Sequence, residues 1–368
     1  MRRTFGGRVH RGFVRRAGAP RHERRDAGFV FNREKKRKKA RLRRFQDHYC
    51  ADLPVDLEEI GEFRGEAFPL SGPLPWLDRA NGFMEIEEKQ KRGALDAVGA
   101  EQCRKWIVDG YAIVEGAIPA ETLDATWAAY ERDIAAGKIT PPQESHGEGD
   151  PWPGRCLDPH ILIPEVKALL HHPRLVGFTD MIFGRRTLPF QTIIGHKGSA
   201  QRAHSDSIHM TTYPMGYLAA AWIAFEDIHP DSGPLFYYPR SHRMTPYLLS
   251  GDVGIQPRYV KENGFGVYAE RYEPAVQKHL DAAGLEQKSF QAKKGDVLFW
   301  HANLVHGGLP RNDLRWSRKA VVCHYFAEGA FTYHDLSGNA SRLHRAGVLA
   351  PVTDRKSTRL NSSHIPLS

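Results

Sequence analysis

The first clear period in the chain is helical. Glu101–Asp109 has the spacing of an amphipathic helix and is stopped by Gly110. Tyr111–Glu115 then reads as a short strand. Pro119 opens a second helix whose Leu123, Trp127, Tyr130 and Ile134 share one face. Residues 139–156 are crowded with Pro, Gly and Glu and predict a long loop, and helical segments follow around Glu165–His171 and Pro173–Phe183. Beyond them the pattern turns to short strands, at Phe190–Gly195, Tyr217–Glu226, Leu235–Tyr238, Ser289–Ala292, Asp296–Trp300 and Ser317–Phe326. Turn signals such as Pro230-Asp231-Ser232-Gly233 and Lys294-Gly295-Asp296 separate them. Helices first and many strands afterwards predict an α+β fold, with N-terminal helices packed on a β-sandwich or barrel. Residues 243–288 interrupt the strands and read as an insertion or lid, with a helix near Ala275–Ala283.

Charge changes the picture at the N-terminus. The chain is formally +9, yet residues 1–45 hold 18 Lys/Arg against 3 Asp/Glu, so the remaining 323 residues are mildly acidic, at −6. The densest part is Arg33-Glu34-Lys35-Lys36-Arg37-Lys38-Lys39. Such an arm is able to bind nucleic acid or an acidic membrane surface. The plainer expectation is a solvated, disordered head, or sequence upstream of a start at Met84, with nucleic acid an unlikely partner. Residues 46–85 read as a poorly structured lead-in, making 1–85 a head and 86–353 the folded domain: helical to about 185, a β core at about 187–330 and the 243–288 lid. Residues 354–368, beginning Asp354-Arg355-Lys356-Ser357-Thr358-Arg359, look like a sequencing adapter read as protein, so this tail and His364 are set aside. No run is apolar enough to predict a membrane span. Cys50, Cys103, Cys156 and Cys323 form no CxxC pair, which suits a reducing cytoplasm.

The candidate chemistry lies in four residues. His204 and Asp206 stand two apart in Ala203-His204-Ser205-Asp206, a spacing that puts both on one face of a strand. His306 follows about a hundred residues later, before Gly307-Gly308. Two histidines and one carboxylate are the facial set that holds non-haem Fe(II) with three positions open. Arg318 lies twelve residues past His306; by alternation it shares a face with Ala320, Val322, His324 and Phe326 and suits a clamp on a carboxylate. The four together point to an oxygenase using 2-oxoglutarate and O2. Gln191, same-facing with Ile193, is a candidate substrate or co-substrate contact. His196, His209, His301 and His324 are read as non-ligands.

Residues from about Gly110 to Phe326 resemble the phytanoyl-CoA dioxygenase family of Fe(II)- and 2-oxoglutarate-dependent oxygenases. His204-Ser205-Asp206 matches its metal-binding His-x-Asp and His306-Gly307 its distal ligand. Arg318-Lys319-Ala320 with Cys323-His324 matches its co-substrate strand. Phe236-Tyr237-Tyr238-Pro239-Arg240-Ser241-His242 looks like its Pro-Gly-Ser/Thr-His segment, with Arg240 in place of glycine. The resemblance implies a double-stranded β-helix (jelly-roll or cupin-like). It also implies an aromatic at the co-substrate pocket, Trp222, and a lysine reaching 2-oxoglutarate, Lys197. The 243–288 stretch and the basic head depart from the common pattern.

The implied reaction hydroxylates a small organic substrate as 2-oxoglutarate becomes succinate and CO2. Asp206 argues against halogenation, since a halide needs the carboxylate's position. The rivals are a cupin-like Zn or Mn enzyme that is not an oxygenase, in which Arg318 has no task, and a non-catalytic binding protein using the basic arm. The residues that choose the substrate lie in 139–156, 207–216 and 243–288, and neither its identity nor the oligomeric state is legible. For the head, we expect nucleic-acid binding without salt sensitivity, if any; a titration whose affinity falls steeply with added salt would show a working arm.

Overall fold

The computed structural model describes residues 74–213, 215–255, 266–328, 330–337 and 339–340. The basic head, residues 46–73 of the lead-in, residues 256–265 of the insertion and the 354–368 tail lie outside them. In chain order the elements are α1 (Gly82–Lys91), α2 (Ala97–Asp109), β1 (Tyr111–Val114), α3 (Ala120–Ala135), β2 (Cys156–Leu157), α4 (Pro164–Leu170), α5 (Pro173–Phe183) and β3 (Thr187–Gly195). They continue with β4 (Thr211–Tyr213), β5 (Leu218–Ala224), β6 (Leu235–Tyr237), α6 (Ser241–Met244), α7 (Glu273–Ala283) and β7 (Lys288–Ser289). The last are β8 (Val297–His301), β9 (His306–Gly308), β10 (Ala320–Ala327), β11 (Phe331–His334) and β12 (Asn339–Ala340).

One six-stranded sheet, in the order β1-β8-β5-β10-β3-β2, carries the fold. Its strands pair antiparallel throughout. Strict alternation sorts its two faces. Ala219, Ala221, Ile223, Val297, Phe299, Val321, Cys323 and Tyr325 point to the helices and share a core with Leu123, Tyr130, Leu169 and Phe178. Ala220, Trp222, Ala224, Leu298, Trp300 and Ala320 point the other way, toward Leu235, Tyr237 and Phe290 of the opposing layer, the sheet β7-β6-β9. A third sheet, β12-β11-β4, extends that side. Helices on one face of an antiparallel sheet and short strands facing the other form an α+β jelly roll, the architecture the resemblance implies and a case of the helices-on-sandwich arrangement the strand pattern predicts.

Local chemistry explains the helix limits. The Asp96 side chain accepts the Gly99 N–H at 2.7 Å and starts α2 at Ala97, four residues before the first clear period, while Gly110 at φ 77° stops it. The lead-in is a correction for its described part: Trp76 and Leu77 are buried ahead of α1, and the Trp76 indole N–H donates to Met181 O. The two- and three-residue strands β2, β4 and β9 were not predicted as strands. Phe178 and Phe299 stack at 4.0 Å between α5 and β8, and Tyr325 Oη donates to Leu170 O at 3.1 Å. Phe299→Ala removes the centre of this contact and is expected to cost about 3–5 kcal/mol of unfolding free energy, read from the denaturant midpoint.

Candidate metal centre

The metal ligands are brought together by two backbone hydrogen bonds. His204 N–H donates to His306 O and His306 N–H to His204 O, each at 2.9 Å, forming an isolated antiparallel bridge at the edge of β9. This revises the reason given for the His-x-Asp spacing. The strand spacing does not run through both residues: Ser205 is extended (φ −107°, ψ 153°), and Asp206 already begins a 3-10 turn. His204, Asp206 and His306 nevertheless meet, with one ligand atom from each within 4.8 Å of the others and all three side chains buried.

Each ligand is oriented from behind. His204 Nδ1 lies 2.8 Å from Arg202 O and His306 Nδ1 lies 3.0 Å from Leu304 O. In the tautomer these carbonyls require, Nδ1 carries the proton and Nε2 keeps its lone pair for an ion. The Trp300 indole N–H donates to Asp206 Oδ2 at 2.7 Å, which leaves Oδ1, 3.7 Å from His306 Nε2, facing the shared space. Burial first, then the neighbouring His306, push the His204 imidazole down to about 3, so it stays neutral. Burial alone would raise the Asp206 carboxyl, but His306, His324 and His204 overcome it and hold the group well below the usual carboxylate range.

Arg318 comes from just before β10, where its N–H extends the ladder by donating to His196 O at 2.6 Å. Its side chain is buried, with Nη1 donating to Gly233 O at 2.8 Å and the guanidinium carbon 5.7 Å from the Trp222 ring. No carboxylate pairs with it among the described residues, and its Nε has no hydrogen-bond partner. Gly198 packs beside it because a Cβ there would press to 2.8 Å on Gly233 O, the carbonyl that accepts from Arg318. Trp222 lies on the same interior face, its own buried N–H unpartnered.

Lys197 goes elsewhere. Its ammonium donates to Asp150 Oδ2 at 2.9 Å, to Trp152 O at 3.0 Å and to Glu144 O, using all three protons. Asp150 also accepts Arg311 Nη1 at 2.8 Å, and none of the three side chains is more than 1% exposed. The lysine read as a co-substrate contact thus closes a buried ion triad that pins the 139–155 loop, because a buried cation takes the carboxylate at hand. Gln191 faces the interior opposite His324 in the β3–β10 register.

Three contributors were missed. Trp300 anchors Asp206, and His324 Nε2 approaches the same oxygen to 3.6 Å without joining the ligand set. The third is Arg155. Gly195 pairs with Ala320 and shares its interior-facing phase, so its absent side chain leaves a gap, and the Arg155 stem fills it; a Cβ on Gly195 would come within 2.6 Å of Arg155 Cγ. The Arg155 charge is felt at both His204 and Arg318, and its buried Nη2 has no partner. Burial first, then Arg155 and Arg311, push Arg318 down to about 9, and burial pushes Arg155 to about 10. The sequence signal was a glycine at an inward strand position, which marks close approach by another group. Of the remaining histidines, His196 meets Glu131 at 2.7 Å, His301 meets Asp78 at 3.1 Å, and the His209 ring lies 6.2 Å from that of His204.

The donor set fits a divalent ion, and the unpaired guanidinium beyond it fits an anion. The model of the phytanoyl-CoA dioxygenase (PhyH) family matches residues 106–320, the span that contains all four residues. The chain belongs to that family. Similar members include human peroxisomal phytanoyl-CoA dioxygenase, 25% identical over 178 residues, covering 46% of this chain and 47% of the relative. Ectoine dioxygenase of Bordetella bronchiseptica is 26% identical over 244 residues, covering 62% and 76%. The chain therefore spans about half the length of the human phytanoyl-CoA dioxygenase that it matches. Among solved structures, the non-heme alpha ketoglutarate dependent carbocyclase SnoK matches with a TM-score of 0.49 at 19% identity, covering 69% of this chain and 93% of that one. EctD from S. alaskensis with 2-oxoglutarate and 5-hydroxyectoine matches at 0.45 and 18%, covering 62% and 76%. Within this phytanoyl-CoA dioxygenase relative, Asp150→Asn is expected to strand two buried cations and lower stability by about 3–5 kcal/mol in chemical denaturation.

Proposed function

We propose that the chain is an Fe(II)- and 2-oxoglutarate-dependent dioxygenase that hydroxylates a small organic substrate. The observation that carries this reading is a three-ligand face within 4.8 Å beside a buried arginine with no counter-ion. Iron(II) held by His204, Asp206 and His306 would supply the oxidative chemistry that couples O2 and 2-oxoglutarate, giving succinate and CO2, to hydroxylation of a carbon. The protein's own part is orientation and exclusion of water.

Arg318 has the fork geometry to take the far carboxylate of the diacid, with Trp222 as the wall beside it. The Arg155 charge, felt at both His204 and Arg318, would add to the attraction for a diacid there. Binding an anion relieves the repulsion between the two guanidinium groups, so the site favours a dicarboxylate over a neutral ligand. The interior side chains Trp222, Leu298 and Trp300 are buried and keep water from the reacting centre. Asp206, anchored by Trp300, holds the position that a halide would need, which supports hydroxylation. A non-oxygenase Zn or Mn enzyme leaves Arg318 and Arg155 without a task.

No helix among the described residues is long and apolar enough to cross a membrane. We place the protein in the cytoplasm, a reading supported by three buried free cysteines, Cys103, Cys156 and Cys323. Substrate choice falls to the loops around 139–155 and 207–216 and to the inserted segment.

Anaerobic titration of the metal-loaded protein with 2-oxoglutarate should give a visible charge-transfer band, and aerobic incubation should release succinate. Asp206→Ala is expected to abolish both. Arg318→Ala is expected to raise the 2-oxoglutarate concentration at half-saturation about a hundredfold, as for loss of one partner of a buried charge pair. Absence of the band in the wild type, or full turnover in Asp206→Ala, overturns the assignment.

A further inference from the structure

The inserted segment touches the metal loop directly. Helix α7 is entered through a wide turn, Tyr268–Tyr272, in which Glu273 N–H donates to Tyr268 O five residues back. Pro274 follows and has no N–H to continue a four-residue register onto Glu270. Wide turns of this kind are rare and concentrate at functional sites. Here the turn aligns two aromatic rings: Tyr268 and Tyr272 stack at 4.9 Å with 26° between their planes.

The fully buried Tyr272 ends against Ser205, the residue between two ligands. Its hydroxyl oxygen accepts the Ser205 N–H at 3.2 Å and lies 3.1 Å from Ser205 Oγ. One residue on, Glu273 pairs with Arg202 at 3.5 Å, and Arg202 supplies the carbonyl that orients His204. The segment therefore grips the metal loop on both sides of His204. Ser205 is the one extended residue between the ligands, so rotation of its peptide would change the angle at which His204 and Asp206 face each other.

We propose that Tyr272 is a positioning residue for the metal centre: by holding the Ser205 peptide it sets the relative aim of His204 and Asp206. This rests on the reading of His204, Asp206 and His306 as metal ligands. Without the hydroxyl, a buried N–H loses its partner and the peptide is free to turn. Partners behind metal ligands act on affinity in this way, with losses of about ten- to a hundredfold on removal.

The test is Fe(II) affinity of the full-length chain under anaerobic conditions, by competition with a chromogenic chelator, alongside the thermal midpoint of the metal-free protein. Tyr272→Phe should weaken Fe(II) binding about ten- to a hundredfold. Ser205→Ala keeps the backbone donor and should stay within about twofold of wild type, since the claim rests on the peptide N–H. A lowered midpoint with unchanged Fe(II) affinity in Tyr272→Phe marks a merely structural tyrosine and overturns the proposal. If Tyr272→Phe does not fold, Glu273→Gln reads the other grip: a several-fold loss of affinity supports the proposal, and wild-type affinity overturns it. Failure of the wild type to bind Fe(II) would instead refute the metal-site reading itself.

Discussion

Everything at the centre follows from the reciprocal backbone pair between His204 and His306. Two 2.9 Å hydrogen bonds join segments a hundred residues apart, and closing so long a loop is entropically costly. The six-stranded sheet meets that cost, because β8 and β10 already fix the strand ends from which the second segment departs. Once the bridge forms, the Nδ1 carbonyls and the Trp300 indole leave each ligand little freedom, so the donor face exists before any ion arrives.

Charge is the second organising constraint. Among the described residues no carboxylate pairs with Arg318, Arg155 adds its repulsion although Glu144 partly offsets it, and Asp150 is taken by Lys197 and Arg311. A core designed for stability alone would not leave the Arg318 guanidinium crowded by other cations and without a counter-ion. The local conflict has a natural resolution in an anionic ligand, and the glycine at 195 leaves space that the Arg155 stem occupies.

Much of this was readable. β5, β8 and β10 are apolar runs long enough to announce themselves, the alternation in β10 matches the side on which Arg318 lies near Trp222, and the combined spacing of His204, Asp206 and His306 picks out three side chains that meet within 4.8 Å. What escaped did so for physical reasons. β9 is three residues with two glycines, and β4 is equally short, so neither has a period to detect. Lys197 is settled by a competitor, Asp150, distant in sequence and hidden in a loop. Trp300 and His324 sat in visible strands, but their nearness to Asp206 is a property of how two layers stack. Arg155 lay in a stretch legible as loop and nothing more.

The ion triad around Asp150 has a mechanical meaning. The loop bearing Arg155 is tied to the rest of the fold through Lys197 and Arg311, so the wall on the Arg155 side is fixed without any ligand. Elsewhere on the site, His209 and Tyr268 pack at 5.1 Å between the turn after Asp206 and the 243–288 stretch. On the proposed function, a small diacid would meet a fixed wall at the Arg155 end, and adjustment to the organic substrate would fall to the other side.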